Sequence, residues 1–159
     1  LNQMLLDDEI DAIIAPQIPK AFQAGDPRVR RLFGDFREAE EAWFDATGVF
    51  PIMHLVVVRK QIAMAEPGLL PALYELFVRA KERALAALRD GDALFVMLPW
   101  LIPEIEATTR RMGEDFWAYG AEANRNALDM FIAHLDAQHL LTRPLATDDL
   151  FAPAFSLST

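Results

Sequence analysis

Ten consecutive residues, Val49 to Val58, are apolar except for Pro51 and His54. Five of them, Val49, Ile52, Val56, Val57 and Val58, are β-branched. The run therefore reads as a strand buried on both faces. It exceeds the usual strand length of about 5–6 residues, and Pro51 forbids a regular central ladder at that point. A strand of this kind needs neighbours on each side, because unpaired backbone groups cannot be buried. The chain offers almost none. Ile10 to Ala15, ended by Pro16, suits a short buried strand, and Arg28 to Phe33 reads as a strand or a turn. The expectation is that another chain supplies the missing partners, or that part of the sheet lies outside these residues.

The rest of the chain is patterned for helices. Residues 1–8 read as the last turns of a helix with no capping residue before Leu1, so the chain is expected to start inside a larger fold. Asp35 and Glu38 have capping-box spacing, Phe36, Ala39, Trp43 and Ala46 share a face, and Gly48 suits a C-terminal cap. After Pro67, Leu69, Leu73, Leu76, Phe77, Ala80, Ala84 and Leu88 form one apolar stripe. Ala93 to Leu98 reads as a short helix stopped by Pro99, and Pro103 starts another that ends at Gly113. Asp115 to Gly120 is an aromatic loop. Ala121 to about His139 is a last long helix, and residues 147–151 make a final turn.

Composition narrows the function classes. In 159 residues, 15 basic side chains face 24 acidic ones, a net charge of −9. That removes the electrostatic footprint of a general nucleic-acid binder. Without cysteine there is no disulfide, thiolate metal site or cysteine nucleophile. No apolar run approaches the ~20 residues needed to span a bilayer, so membrane insertion is not expected, and no signal-peptide pattern is present. HExxH, a Gly-rich phosphate loop, GxSxG and a His/Asp metal cluster are all missing from the sequence. No cofactor or metal is expected.

Several stretches together resemble the 4,5-dihydroxyphthalate decarboxylase family, which looks like a relative of type II periplasmic solute-binding proteins. They are Glu9-Ile10-Asp11-Ala12, residues 25–33 from Gly25-Asp26-Pro27 to Leu32-Phe33, and residues 47–54 with Phe50-Pro51-Ile52-Met53-His54. Downstream come Leu98-Pro99-Trp100, residues 112–117 ending in Phe116-Trp117, Tyr119-Gly120, Glu122-Ala123-Asn124-Arg125 and Leu150-Phe151-Ala152-Pro153. The resemblance implies an α/β fold: the C-terminal portion of a two-lobed protein, mostly helical with two or three strands. Residues 1–48 would end the second lobe and residues 49–59 would be a hinge-crossing strand. Residues 60–159 would pack on the first lobe, whose N-terminal half is absent. That half, or a second chain in a homodimer, would complete the sheet.

The family's reaction removes a carboxylate from a dihydroxylated aromatic diacid. The resemblance implies decarboxylation of such an acid in the cytoplasm. The alternative is a solute-binding protein for a carboxylate ligand, periplasmic if the absent N-terminus carries a signal peptide; a third reading is a relic without turnover. His54, set in a buried apolar run, is the candidate proton donor or substrate hydrogen-bond donor, with a core histidine bonded to a carbonyl as its bland counterpart. Lys20 and Arg59 are candidate anion anchors. Trp100, Trp117 and Tyr119 are candidate stacking partners for an aromatic ligand. Arg125, at the start of the last helix, is a further anion candidate. His134 and His139 read as structural, and Arg28, Arg30 and Arg31 read as a solvated face. One departure stands out. Where the family typically has Pro-Arg-Pro-Pro, this chain has Pro16-Gln17-Ile18-Pro19 followed by Lys20. Neither Gln17 nor Lys20 reproduces the bidentate grip of an arginine on a carboxylate.

Overall fold

Helix is the only extended regular structure among the described residues. A computed structural model describes residues 1–92 and 94–151. Its α-helices are α1 (Asn2–Leu6), α2 (Lys20–Gln23), α3 (Phe36–Thr47), α4 (Lys60–Ala65), α5 (Leu69–Arg89), α6 (Leu101–Met112) and α7 (Arg125–Ala137), followed by a 3₁₀ turn, Thr147–Leu150. No strand occurs among the described residues. The expected α/β fold is therefore overturned: the described residues form helices and no sheet. The reason lies in the backbone. Residues 50–58 make no backbone hydrogen bond to any described residue, and an extended segment without a neighbour is not a strand. The segment is solvated instead of buried on two faces, and Val57 is 87% exposed. Residues 10–15 fail for the same reason, with Ile14 fully exposed.

The chain divides into two units, Leu1–Val49 and the remainder from Phe50. In the first, α1 packs on α2, and Asn2 Oδ1 accepts the Ala21 N–H at 2.9 Å. Both helices are short, and each is followed by a residue in the left-handed conformation. Gly25, at φ 71°, donates to Phe22 O while Asp26 donates to Ala21 O. Asp8, at φ 56°, takes the same left-handed role after α1, where Glu9 donates to Met4 O. Asp26 also accepts a two-pronged grip from the Arg28 side chain, at 3.0 and 2.7 Å, and the Arg28 backbone N–H.

The helix α3 forms as its local signals require. Asp35 accepts the Glu38 N–H at 2.9 Å, and Gly48 at φ 66° ends the helix by donating to Phe44 O. The Thr47 hydroxyl bonds back to Trp43 O and accepts the Val49 N–H, fixing the exit.

In the second unit, α5 packs against α6 and α7 against the 3₁₀ turn. The helix α5 covers the expected stripe, yet none of its residues is buried, and Leu76 and Phe77 stay exposed. Pro71 and Pro103 sit in the first turns of α5 and α6, where the missing N–H leaves no bond unmade. The expected helix at Ala93–Leu98 does not form. Residues 94–98 are irregular and Met97 is fully exposed. Ala93 itself lies outside the described residues, as do Ala152 and Pro153. The last helix is shorter than expected at both ends. It closes with a Schellman pair in which His139 takes the left-handed position at φ 57°. Thr147, the most buried side chain described, donates to Asp129 Oδ1 at 2.5 Å and locks the 3₁₀ turn onto α7.

The buried apolar residues among those described are Ala21, Val49, Leu101, Ala121, Leu128 and Ile132. Many large apolar side chains among the described residues are exposed, Ile14, Leu32, Val56, Val57, Met64 and Met97 among them. Apolar surface on this scale drives association. The isolated chain should therefore run above its 17.9 kDa mass in light scattering and bind a hydrophobic dye. Replacing the exposed Val57 and Met97 together by Lys should reduce both effects; an unaltered dye signal would contradict this reading.

Arg28 holds the Asp26 carboxyl down to about 2 from its usual 3.8, chiefly through the side-chain hydrogen bonds and then the backbone one. The folded value lies below the unfolded one. The stabilisation is therefore fully present above pH 3.8 and is lost as pH falls through about 2. A carboxyl ¹³C titration should place the Asp26 midpoint near 2, and Arg28→Ala should return it toward 3.8.

Candidate functional site

The best-fixed irregular segment of the second unit is the aromatic loop between α6 and α7. Three side chains from outside hold residues 113–120. Lys81, on α5, extends its ammonium to Asp115 Oδ1 at 2.8 Å and to the Trp117 carbonyl at 3.3 Å. The same ammonium lies 4.9 Å from the centre of the Tyr119 ring. Its side chain is only 11% exposed. Two turns along α5, Arg89 donates to Glu114 O at 3.0 Å and to its carboxylate at 3.2 Å. From the far end, Asn124 Nδ2 donates to Ala118 O and Gly120 O, both at 2.9 Å. Buried lysine is rare unless paired, and here each direction of the ammonium meets carboxylate, carbonyl or ring face.

This stapling presents two aromatic rings at defined positions. Trp117 is 47% exposed and Tyr119 is half-buried. The Phe50 ring leans on Trp117 with centroids 6.0 Å apart and planes tilted by 54°. That contact ties the start of the 50–58 segment, which carries His54, to the loop. A half-exposed indole on a fixed loop is a surface on which a flat ligand can stack.

The other candidates are placed separately. His54 is exposed on the extended segment and makes no hydrogen bond or ion pair to a described residue; the core histidine bonded to a carbonyl is not what forms. Arg59 immediately precedes α4, makes no side-chain capping bond to it, and is exposed. Trp100 precedes α6 and is 71% exposed. Lys20 belongs to the first unit, where it opens α2 instead of following a strand. Arg125 opens α7 and is held by Glu122 and by Asp148, the latter at 2.9 Å. These two carboxylates raise its pKa, and Arg125 in turn lowers that of Glu122. Arg125 therefore fastens the loop exit to the 3₁₀ turn. The structure brings the Phe50 and Trp117 rings together, and Lys81 ties Tyr119 to the same loop; it shows no hydrogen bond, ion pair or ring contact joining His54, Arg59 or Trp100 to them.

An open groove of about 370 Å³ beside Arg89 is lined also by Ile102, Ile105, Glu106, Thr109 and Arg110. Its cations are already answered, Arg89 by Glu114 and Arg110 by Glu106 at 3.8 Å. It offers no free charge to a ligand.

Sequence reasoning missed Lys81, although one signal was present. Lys81 falls four residues after Phe77 and seven before Leu88, in register with the apolar stripe. A lone cation on that face needs a partner from elsewhere in the fold. Its replacement tests the staple. Lys81→Met keeps the apolar stem and removes the charge, and should cost about 1–2 kcal/mol in urea unfolding, the scale of one partly buried ion pair with a cation–π contact. The Trp117 indole N–H resonance should move in the same variant, whereas an unchanged indole signal would mean that the loop does not depend on Lys81.

No protein-family model matches the chain. Comparison with characterised sequences finds 39% identity over 154 residues, 97% of this chain, with the 4,5-dihydroxyphthalate decarboxylase of Comamonas testosteroni. The chain spans 47% of that protein's length. It is homologous to that enzyme over about half of the enzyme's sequence.

Proposed function

From this homology we propose that the protein takes part in decarboxylating a hydroxylated aromatic carboxylic acid such as 4,5-dihydroxyphthalate. The observation that carries the reading is the 39% identity sustained over 97% of the chain with a carboxy-lyase. The stapled aromatic loop supports it, because Lys81 fixes the loop that carries Trp117 and Tyr119, two rings on which a flat ligand can stack.

The chemistry asks for a proton and for charge control. A hydroxyl para to the departing carboxylate pushes its electron pair into the ring, most strongly as the phenolate. The carbon bearing the carboxylate then accepts a proton. The bond to the carboxylate breaks, carbon dioxide leaves, and the electron pair of that bond restores the aromatic ring. In this reading His54 delivers the proton, and its position four residues after Phe50 puts it on the segment that touches the loop. Trp117 and Tyr119 hold the ring, with Trp100 as a second stacking surface. Arg59, in the same unit, supplies positive charge to the carboxylates. Arg125 acts through the loop, which it helps to fasten. Exclusion of water would strengthen each of these interactions.

The full-length protein incubated with 4,5-dihydroxyphthalate should release carbon dioxide and show the ultraviolet change to the dihydroxy monoacid. His54→Ala should lower kcat by about 10²–10⁴-fold, the usual worth of a positioned proton donor. Turnover that survives this substitution within twofold would remove His54 from that role. Tight binding of the diacid with no turnover would favour a solute-binding function instead.

A further inference from the structure

The three arginines near residue 30, which the sequence presents as one solvated face, are separated by the structure into different states. Arg28 is locked onto Asp26. Arg31 pairs with no carboxylate among the described residues. Its guanidinium carbon instead lies over two rings, 4.4 Å from the centre of Phe36 and 5.3 Å from the centre of Phe22. These rings belong to different helices, Phe22 to α2 and Phe36 to the first position of α3. The nearby acids are engaged elsewhere: Asp26 by Arg28, and Asp35 by the Glu38 backbone.

This arrangement has a chemical consequence. A ring face attracts the guanidinium as a cation but uses none of its in-plane N–H donors. Stacking on two rings also restricts a side chain that otherwise carries about 2 kcal/mol of rotamer entropy. The result is an ordered fork of donors with full positive charge and no anion on it. Apolar surface adjoins it, because Leu32, Phe33 and Phe36 are all exposed. A planar anion with an apolar body fits both features at once, and a carboxylate matches the fork bidentately.

We propose that Arg31, stacked on Phe22 and Phe36, is a binding site for the carboxylate of an aromatic acid. The site lies in the first unit and does not depend on whether the protein turns over a substrate. It offers the bidentate grip that Gln17 and Lys20 cannot.

Benzoate titration of the 159-residue chain tests it, followed by the arginine Nε–H resonances in ¹⁵N-labelled protein. The Arg31 resonance, identified by its loss in Arg31→Lys, should shift and saturate. Arg31→Lys keeps the charge but loses the fork, and should weaken benzoate binding at least about fivefold. Phe36→Leu keeps the arginine but removes a ring, and should weaken it by about threefold, in line with a cation–π contact at an exposed site. Circular dichroism checks that both variants keep their helix content. Unchanged benzoate affinity in Arg31→Lys overturns the proposal, as does an Arg31 resonance that does not respond. Equal binding of inorganic phosphate overturns the assignment to an aromatic acid. Benzoate binding through Arg31 in a full-length protein that lacks decarboxylase activity would support this site while removing the catalytic reading.

Discussion

An α-helix closes its backbone hydrogen bonds within one segment, and a strand closes none without a neighbour. The architecture of this chain follows from that difference. Wherever 3.6-residue periodicity and local caps are available, as from Asp35 to Gly48, the segment satisfies itself and folds. Residues 50–58 have the side chains of a buried strand and no partner, so their backbone stays in water. The apolar side chains on that segment then stay in water with it. A local deficit in hydrogen bonding thus becomes a deficit in burial for the whole second unit.

With so little core, tertiary order rests on polar staples. Lys81, Arg89 and Asn124 together fix the loop between α6 and α7, and each bonds a backbone carbonyl as well as, for the two cations, a carboxylate. Carbonyl bonds matter here because they hold the path of the chain, while the carboxylate pairs alone would hold only side-chain ends. Thr147 and Asp129 perform the same task for the 3₁₀ turn. Exposed ion pairs usually contribute about 0–1 kcal/mol. Lys81 departs from that rule because its stem and head are both covered, and because the Tyr119 ring supplies a third partner.

What could be read from the sequence follows the range of the interactions involved. The cap at Asp35, the left-handed Gly48, the α5 stripe and the aromatic loop are encoded within a few residues, and each is where the pattern puts it. The relation to 4,5-dihydroxyphthalate decarboxylase was legible too, because its stretches run in order along the chain. The strand at Val49–Val58 was misread because its side-chain pattern is local but its pairing is not. Lys81 was missed because its partner Asp115 lies 34 residues away. His139 gives no glycine signal for the left-handed turn that it makes.

The cations show how a chain of net charge −9 can still attract an anion. Screening confines the overall field to about 8 Å at physiological ionic strength, so the local state of each guanidinium decides. Arg28, Arg37, Arg89, Arg110 and Arg125 each face a carboxylate. Such a pair presents little net charge to a ligand, which would have to displace an anion already held at far higher effective concentration. A ring face orders a guanidinium without cancelling its charge or covering its donors. Arg31 is ordered in this way, on Phe22 and Phe36, and so combines the rigidity of a paired arginine with the charge of a free one. Acidity elsewhere on the chain does not remove that combination, because no carboxylate among the described residues pairs with it.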